Sequence, residues 1–300
     1  MYIRTDRKRK SSPARVLILL LLIVAGTYVL TERRDMLKPP GPTPTPTLPA
    51  SYYMQRGDEQ YWAGKLNAAI GFYKQAVERD PRQGAAYARA ARLLAFKGSR
   101  QEAADLAARG VQADPKNVEA QAVLCMALDW NGQYDAAVSA CLKAIEMDDK
   151  YAEAYAYLAE AYADKAVWNK ATEMADKAVA LNSNSLDAYR DVGYVLEQQG
   201  KYRKAIEALQ KAVEVHPKFS PLYVMLGRNY LMLRDVNRAI TQYQTAFEVD
   251  PENAEAAESL GWGYFNNQDY QRAVTYLEKA IQIDPTRAKS HGRLGAAYYV

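Results

Sequence analysis

Apolar positions between residues 186 and 217, in the stretch LDAYRDVGYVLEQQGKYRKAIEALQKAVEVHP, fall into two stripes at helical spacing. Tyr189, Val192, Gly193 and Leu196 share one face of the first segment, while Ala205, Ile206, Leu209, Ala212 and Val213 share one face of the second. Steps of three and four predict a pair of amphipathic helices. Gly200 between them suits the left-handed conformation that ends a helix, and Pro217 stops the second because it has no N–H to continue the ladder. Gly193, Ala205 and Ala212 are small where two antiparallel helices joined by a short turn approach closely.

The pattern returns every 34 residues. One column reads Ala69, Ala103, Ala137, Ala171, Ala205, Ala239 and Ala273, and a second Ala76, Gly110, Ala144, Ala178, Ala212, Ala246 and Ala280. A third admits only small side chains: Gly57, Ala91, Cys125, Ala159, Gly193, Gly227, Gly261 and Gly295. Pro81, Pro115, Pro217, Pro251 and Pro285 close most units. A fixed period of this length predicts a stacked array in which each unit buries the apolar face of its neighbour. These columns resemble the tetratricopeptide repeat (TPR) over residues 50–300, as seven repeats and the first helix of an eighth. The resemblance implies an all-α fold, a right-handed superhelical solenoid of antiparallel helix pairs. Departures are local: Arg56 replaces an apolar residue, Gln121 and Ala257 replace the opening tyrosine, Asp149 and Ser183 the closing proline, and Ala166 the turn glycine.

Ahead of the array, residues 16–30, VLILLLLIVAGTYVL, form an uncharged run, and Arg4, Arg7, Lys8, Arg9, Lys10 and Arg15 precede it. As a helix the run spans roughly 22 Å, against about 30 Å of bilayer hydrocarbon. Snorkelling of Arg15 and Arg33 and local thinning of the bilayer make up the difference. The segment therefore predicts a single transmembrane anchor, the alternative being a signal peptide cleaved near Ala25 or Gly26 that releases the repeats as a secreted protein. The basic flank favours a cytoplasmic tail at 1–15 and repeats on the extracytoplasmic side. Residues 31–49 read as a juxtamembrane and Pro/Thr-rich linker, whose alternating prolines favour a semi-rigid extended stalk.

Charge then narrows the chemistry. The first 38 residues carry nine Lys/Arg and three Asp/Glu, so the net charge of +4 belongs to the tail and the remainder sums to −2. Nothing there favours a nucleic-acid partner. The only histidines, His216 and His291, lack ligand-like spacing, and there is no glycine-rich phosphate loop. No catalytic, metal or cofactor site is expected. Glu119, Glu153, Asp187 and Glu255, near the starts of successive first helices, read as solvated side chains that suit a helix N-terminus. Cys125 and Cys141 face each other from the two helices of one unit, either as a disulfide or as two buried thiols.

Recognition is the stronger expectation. In stacked helical pairs the first helices line the concave face. Register puts Trp62, Arg89, Arg92, Met126, Trp130, Arg190, Tyr194, Arg228 and Trp262 there, with Phe96 and Phe265 beside them. Trp and Arg are the residue types that anchor interfaces, so the groove is expected to bind a peptide or partner helix. The lysine, arginine and asparagine clamp by which some TPR proteins hold a chaperone carboxylate has no counterpart here, the corresponding places carrying Met54, Asp58, Arg89, Ala122 and Met126. The chain is expected to be a membrane-anchored, non-enzymatic scaffold. Alternatives are the recognition half of an enzyme whose catalytic domain follows residue 300, and a spacer with an empty groove. Residues 288–300, a first helix with no second to cover it, favour a chain that continues.

Overall fold

The computed structural model describes residues 12–32 and 48–300. Of the expected basic tail and linker, residues 1–11 and 33–47 lie outside the described residues. Helix α1 (Pro13–Glu32) extends the expected 16–30 segment at both ends and buries no side chain. Its 20 residues span roughly 30 Å. The Thr27 hydroxyl donates to the Val24 carbonyl at 2.9 Å and that of Thr31 to the Thr27 carbonyl at 2.8 Å, so both are satisfied within the helix.

Residues 50–283 form seven antiparallel helix pairs. These are α2 (Ala50–Trp62) with α3 (Leu66–Arg79), α4 (Gly84–Phe96) with α5 (Arg100–Ala113), and α6 (Val118–Trp130) with α7 (Tyr134–Met147). Next come α8 (Ala152–Asp164) with α9 (Trp168–Leu181), α10 (Leu186–Gln198) with α11 (Tyr202–Val215), α12 (Ser220–Met232) with α13 (Val236–Val249), and α14 (Ala254–Asn266) with α15 (Tyr270–Ile283). Helix α16 (Ala288–Tyr299) opens an eighth unit. The two helices of each pair pack on each other, the second helix of each pair packs on the first helix of the next unit, and no strand occurs among the described residues. The buried alanines of the first two columns sit where helices cross.

Two local devices repeat with the period. The first helix of every pair ends on a residue at positive φ: Gly64, Gly98, Gly132, Ala166, Gly200, Arg234 and Gln268. The following N–H reaches back five residues, as in Lys65 to Gln60 and Val167 to Tyr162, which is the Schellman arrangement. Ala166 therefore takes the glycine conformation without altering the turn. The turn between pairs is an Asx turn with or without the closing proline: Asp80, Asp250 and Asp284 accept from the N–H two residues on across Pro81, Pro251 and Pro285, and Asp148 and Asn182 do the same where the proline is missing.

Gly57, Gly193, Gly227 and Gly261 of the third column face bulky residues on the paired helix. A Cβ at Gly57 would lie 2.3 Å from Tyr73, one at Gly193 2.7 Å from Leu209 and one at Gly227 2.4 Å from Tyr243. In the third repeat the same two positions hold Cys125 and Cys141, whose Cα atoms are 5.2 Å apart and whose sulfurs are bonded. A packing contact elsewhere in the array is a covalent one here.

Candidate protein-binding site

The first helices of successive pairs carry a ladder of charged contacts to their neighbours about one repeat away. Arg89 on α4 donates through Nη1 to both oxygens of Asp58 on α2, at 2.7 and 2.8 Å, and through Nε to Glu119 on α6 at 3.1 Å. Arg190 on α10 binds Glu160 on α8 at 2.7 Å, Arg228 on α12 binds Glu197 at 2.6 Å, and Tyr194 donates to Asp164. Arg287 and Arg293 both reach Glu258 on α14.

Other contacts cross the hollow between distant repeats. Arg92 on α4 holds Asp187 on α10 with two bonds, at 2.8 and 3.0 Å. His216, which caps α11, places its ring 4.5 Å from Trp62 and accepts the edge of Tyr61, and its Nε2 donates to the Tyr61 carbonyl at 3.1 Å. Phe96 meets Phe219 edge to face at 4.8 Å, and Asn67 on α3 donates to Glu252 at 2.6 Å. The first two repeats thus clasp the fifth to seventh, and the concave face is partly filled by the chain itself.

Arg190 shows what filling means. It is 1% exposed, contacts Asp191 as well as Glu160, and its guanidinium lies 5.3 Å from the ring centres of both Phe96 and Trp130. Burial opposes its charge, but Asp191, Glu160 and Asp187 hold its pKa above the ordinary arginine value. Met126 is buried beside this cluster, and Trp130 packs edge to face on Phe96 at 4.9 Å. Asp129, also buried, has no hydrogen-bond partner for either oxygen, and burial, then Glu160 and Asp164, push its pKa up to about 9. Toward the C-terminal end Trp262 stacks on Phe265 at 4.7 Å and under Arg293 at 4.6 Å.

What the clasp leaves open is a cavity of about 380 Å³ on the concave face of the first five repeats. Of the residues that register assigned to the groove, Trp62, Arg89 and Arg92 line it, whereas Met126, Trp130, Arg190, Tyr194, Arg228 and Trp262 do not. Its other walls come from Asp58, Tyr61 and Tyr73 of the first pair, Leu93, Glu119, Val123, Tyr151, Glu153, Tyr157 and Asp187. Trp62, 54% exposed, forms its rim. Glu119, Glu153 and Asp187 do stand in the first turns of α6, α8 and α10, as expected, but they face the cavity as parts of its wall and are not simply solvated. The available signal was periodic: the three stand one repeat apart, and Tyr157 falls in the column of Arg89. Among the described residues no three His, Cys, Asp or Glu side chains are placed to hold a metal ion.

A solenoid of helical hairpins with a charged, aromatic concave face defines a helical-repeat scaffold. Two profiles of the tetratricopeptide repeat match the chain, at residues 186–229 and 224–288. Residues 186–288 thus carry tetratricopeptide repeats, a kind of domain that binds protein or peptide partners, and the rest of the array repeats the same helical pair. No curated protein sequence matches the chain. Its fold is similar to a chain of the APC/C hetero-tetramer Cut9–Hcn1, at a TM-score of 0.58 and 18% identity over 84% of this chain and 49% of that one. This chain thus spans about half the length of that neighbour. A TPR protein of Thermus thermophilus gives 0.55 at 21% identity, over 61% of this chain and 100% of that one. A tetratricopeptide repeat protein from Parabacteroides merdae gives 0.54 at 16%, over 83% and 98%.

Proposed function

We propose that the chain is a membrane-tethered, non-enzymatic scaffold whose concave face, in the first five repeats, receives a segment of another protein. The observation that carries this reading is the cavity, a recess built from side chains of five successive first helices and rimmed by an exposed tryptophan. Recesses of a few hundred Å³ with convergent polar groups are where ligands seat. An extended peptide or a helix laid along the array would meet Trp62 and Arg89 first.

Tethering draws on α1. At 20 residues and a mean hydropathy of 2.2 it is long and apolar enough to cross a bilayer, and its threonine hydroxyls are bonded to its own carbonyls, as a lipid interior requires. The six basic residues ahead of residue 16 favour repeats on the extracytoplasmic side. A disulfide in the array agrees with an oxidising compartment.

Photo-crosslinking in native membranes tests the reading. A benzophenone side chain in place of Trp62 is expected to yield a discrete adduct, and the same group in place of the exposed Leu142 on α7 none. Adducts from Leu142 alone, or equal smears from both positions, would contradict it. For the tether, the protein stays with membranes after alkaline extraction, while a mature chain starting near Gly26 would exclude an anchor.

A further inference from the structure

The cavity carries an unbalanced charge and an unpaired hydroxyl, and the two lie side by side. Glu153 and Tyr157 stand four residues apart on α8, which puts them on one face of the helix, and both line the cavity. Three of the four carboxylates in the lining already have a cation. Asp58 and Glu119 share Arg89, and Asp187 is held by Arg92. Glu153 accepts a hydrogen bond from the Ser185 hydroxyl at 2.9 Å and has no Lys or Arg partner among the described residues. Burial, followed by the neighbouring Asp187 carboxylate, raises its pKa.

Tyr157 supplies the second observation. It is 2% exposed, yet its hydroxyl has no hydrogen-bond partner among the described residues and its remaining surface opens into the cavity. Burial keeps that phenol protonated. The hydroxyl oxygen is not sealed away from solvent, so in this recess it is open to a hydrogen bond from a ligand. An anion entering here would face four carboxylates against two guanidiniums. A cation rich in N–H donors answers both groups and is further attracted by the tyrosine ring faces.

We infer that the cavity takes the cationic side chain of an arginine or lysine from the bound segment, with Glu153 as its counter-ion and the Tyr157 hydroxyl oxygen accepting one of its N–H bonds. This rests on the concave face being the peptide-binding face, and deepens that reading by naming the chemistry it selects.

The test is a selection of random dodecapeptides displayed on phage against the full chain in detergent, followed by binding measurements on a selected peptide. Expected is a basic residue shared by the selected sequences. Replacing it with neutral citrulline or acetyl-lysine weakens binding about tenfold or more to the wild type. The same replacement has little effect on Glu153→Gln, which keeps an acceptor for Ser185 and whose folding is checked by circular dichroism. Selected peptides without a shared basic residue, or an equal loss on both proteins, would overturn the inference and leave the groove as a peptide site. No peptide enriched above background would overturn both.

Discussion

The indole of Trp62 lies on the imidazole of His216, ring centres 4.5 Å apart and planes 23° apart, joining the end of the first helix of the array to the end of its tenth. His216 is neutral there: Nε2 donates to the Tyr61 carbonyl, and Nδ1 is buried without a partner. The contact ties distant repeats together beside the cavity that Trp62 lines.

Its pH dependence follows. Burial, with Arg92 and Lys218 nearby, lowers the His216 pKa from 6.5 to about 4. A lowered histidine pKa means that the unfolded chain binds a proton the folded one refuses, so stability is present above pH 6.5 and is lost as pH falls toward 4. Between pH 7 and 4.5 this contributes roughly 2–3 kcal/mol of destabilisation. His216→Phe keeps a ring on Trp62 and does not titrate. Denaturant unfolding at the two pH values is expected to show a larger loss for the wild type, and equal losses would count against the clasp.

Asp129 runs the other way. With a folded pKa of about 9, far above that of a free carboxyl, it is protonated in the folded array, and stability falls as pH rises from the ordinary carboxylate range toward 9. Asp129→Asn removes the titration, so the loss of stability between pH 5 and pH 8 is expected to be smaller than in the wild type. An equal loss of thermal midpoint in the two proteins over that pH range would contradict the assignment.

Glycine spacing separates packing from propensity. Gly227→Ala drives a methyl to 2.4 Å from the buried Tyr243 ring and is expected to cost about 1–3 kcal/mol. Gly71→Ala, in a helix with nothing within 4 Å of the new methyl, is expected to stabilise by about 0.5–1 kcal/mol. Thermal melts of the two variants should move in opposite directions; a shared direction would refute the close-approach explanation.

The Cys125–Cys141 link is open to a clean comparison, because the same pair of positions holds Ala91 and Ala107 in the second repeat and Ala159 and Ala175 in the fourth. Replacing both cysteines with alanine therefore suits the fold and deletes only the bond. For residues 16 apart the loss is expected to be about 3 kcal/mol. An unchanged midpoint would mean the bond constrains nothing that the packing does not already fix.

Much of this architecture was legible in the sequence because one period governs it. Ala69 and its successors, the small third column and the turn residues mark helix crossings and turns directly, and an Asx turn shared by units with and without the proline keeps the turn at Asp148 and Asn182 unchanged. The site was only half legible. Register places Arg190 and Trp130 on the concave side, but whether a concave residue is open or covered depends on how tightly the array curls. That curl sums small tilts over many interfaces and brings Asp187 to Arg92 and Phe219 to Phe96. No local pattern encodes it. The same closure turns His216, an ordinary residue beside its proline, into half of a clasp, and makes the helix-start acid Glu153 a cavity wall as well.

Hydrogen exchange on the full chain in detergent, with and without a selected peptide, tests the central claim most directly. Added protection is expected in α2, α4, α6 and α8, at the segments that carry Tyr61, Arg89, Glu119 and Tyr157, with the paired helices α3, α5, α7 and α9 unchanged. Protection confined to those paired helices, or to α12 through α16, would contradict it.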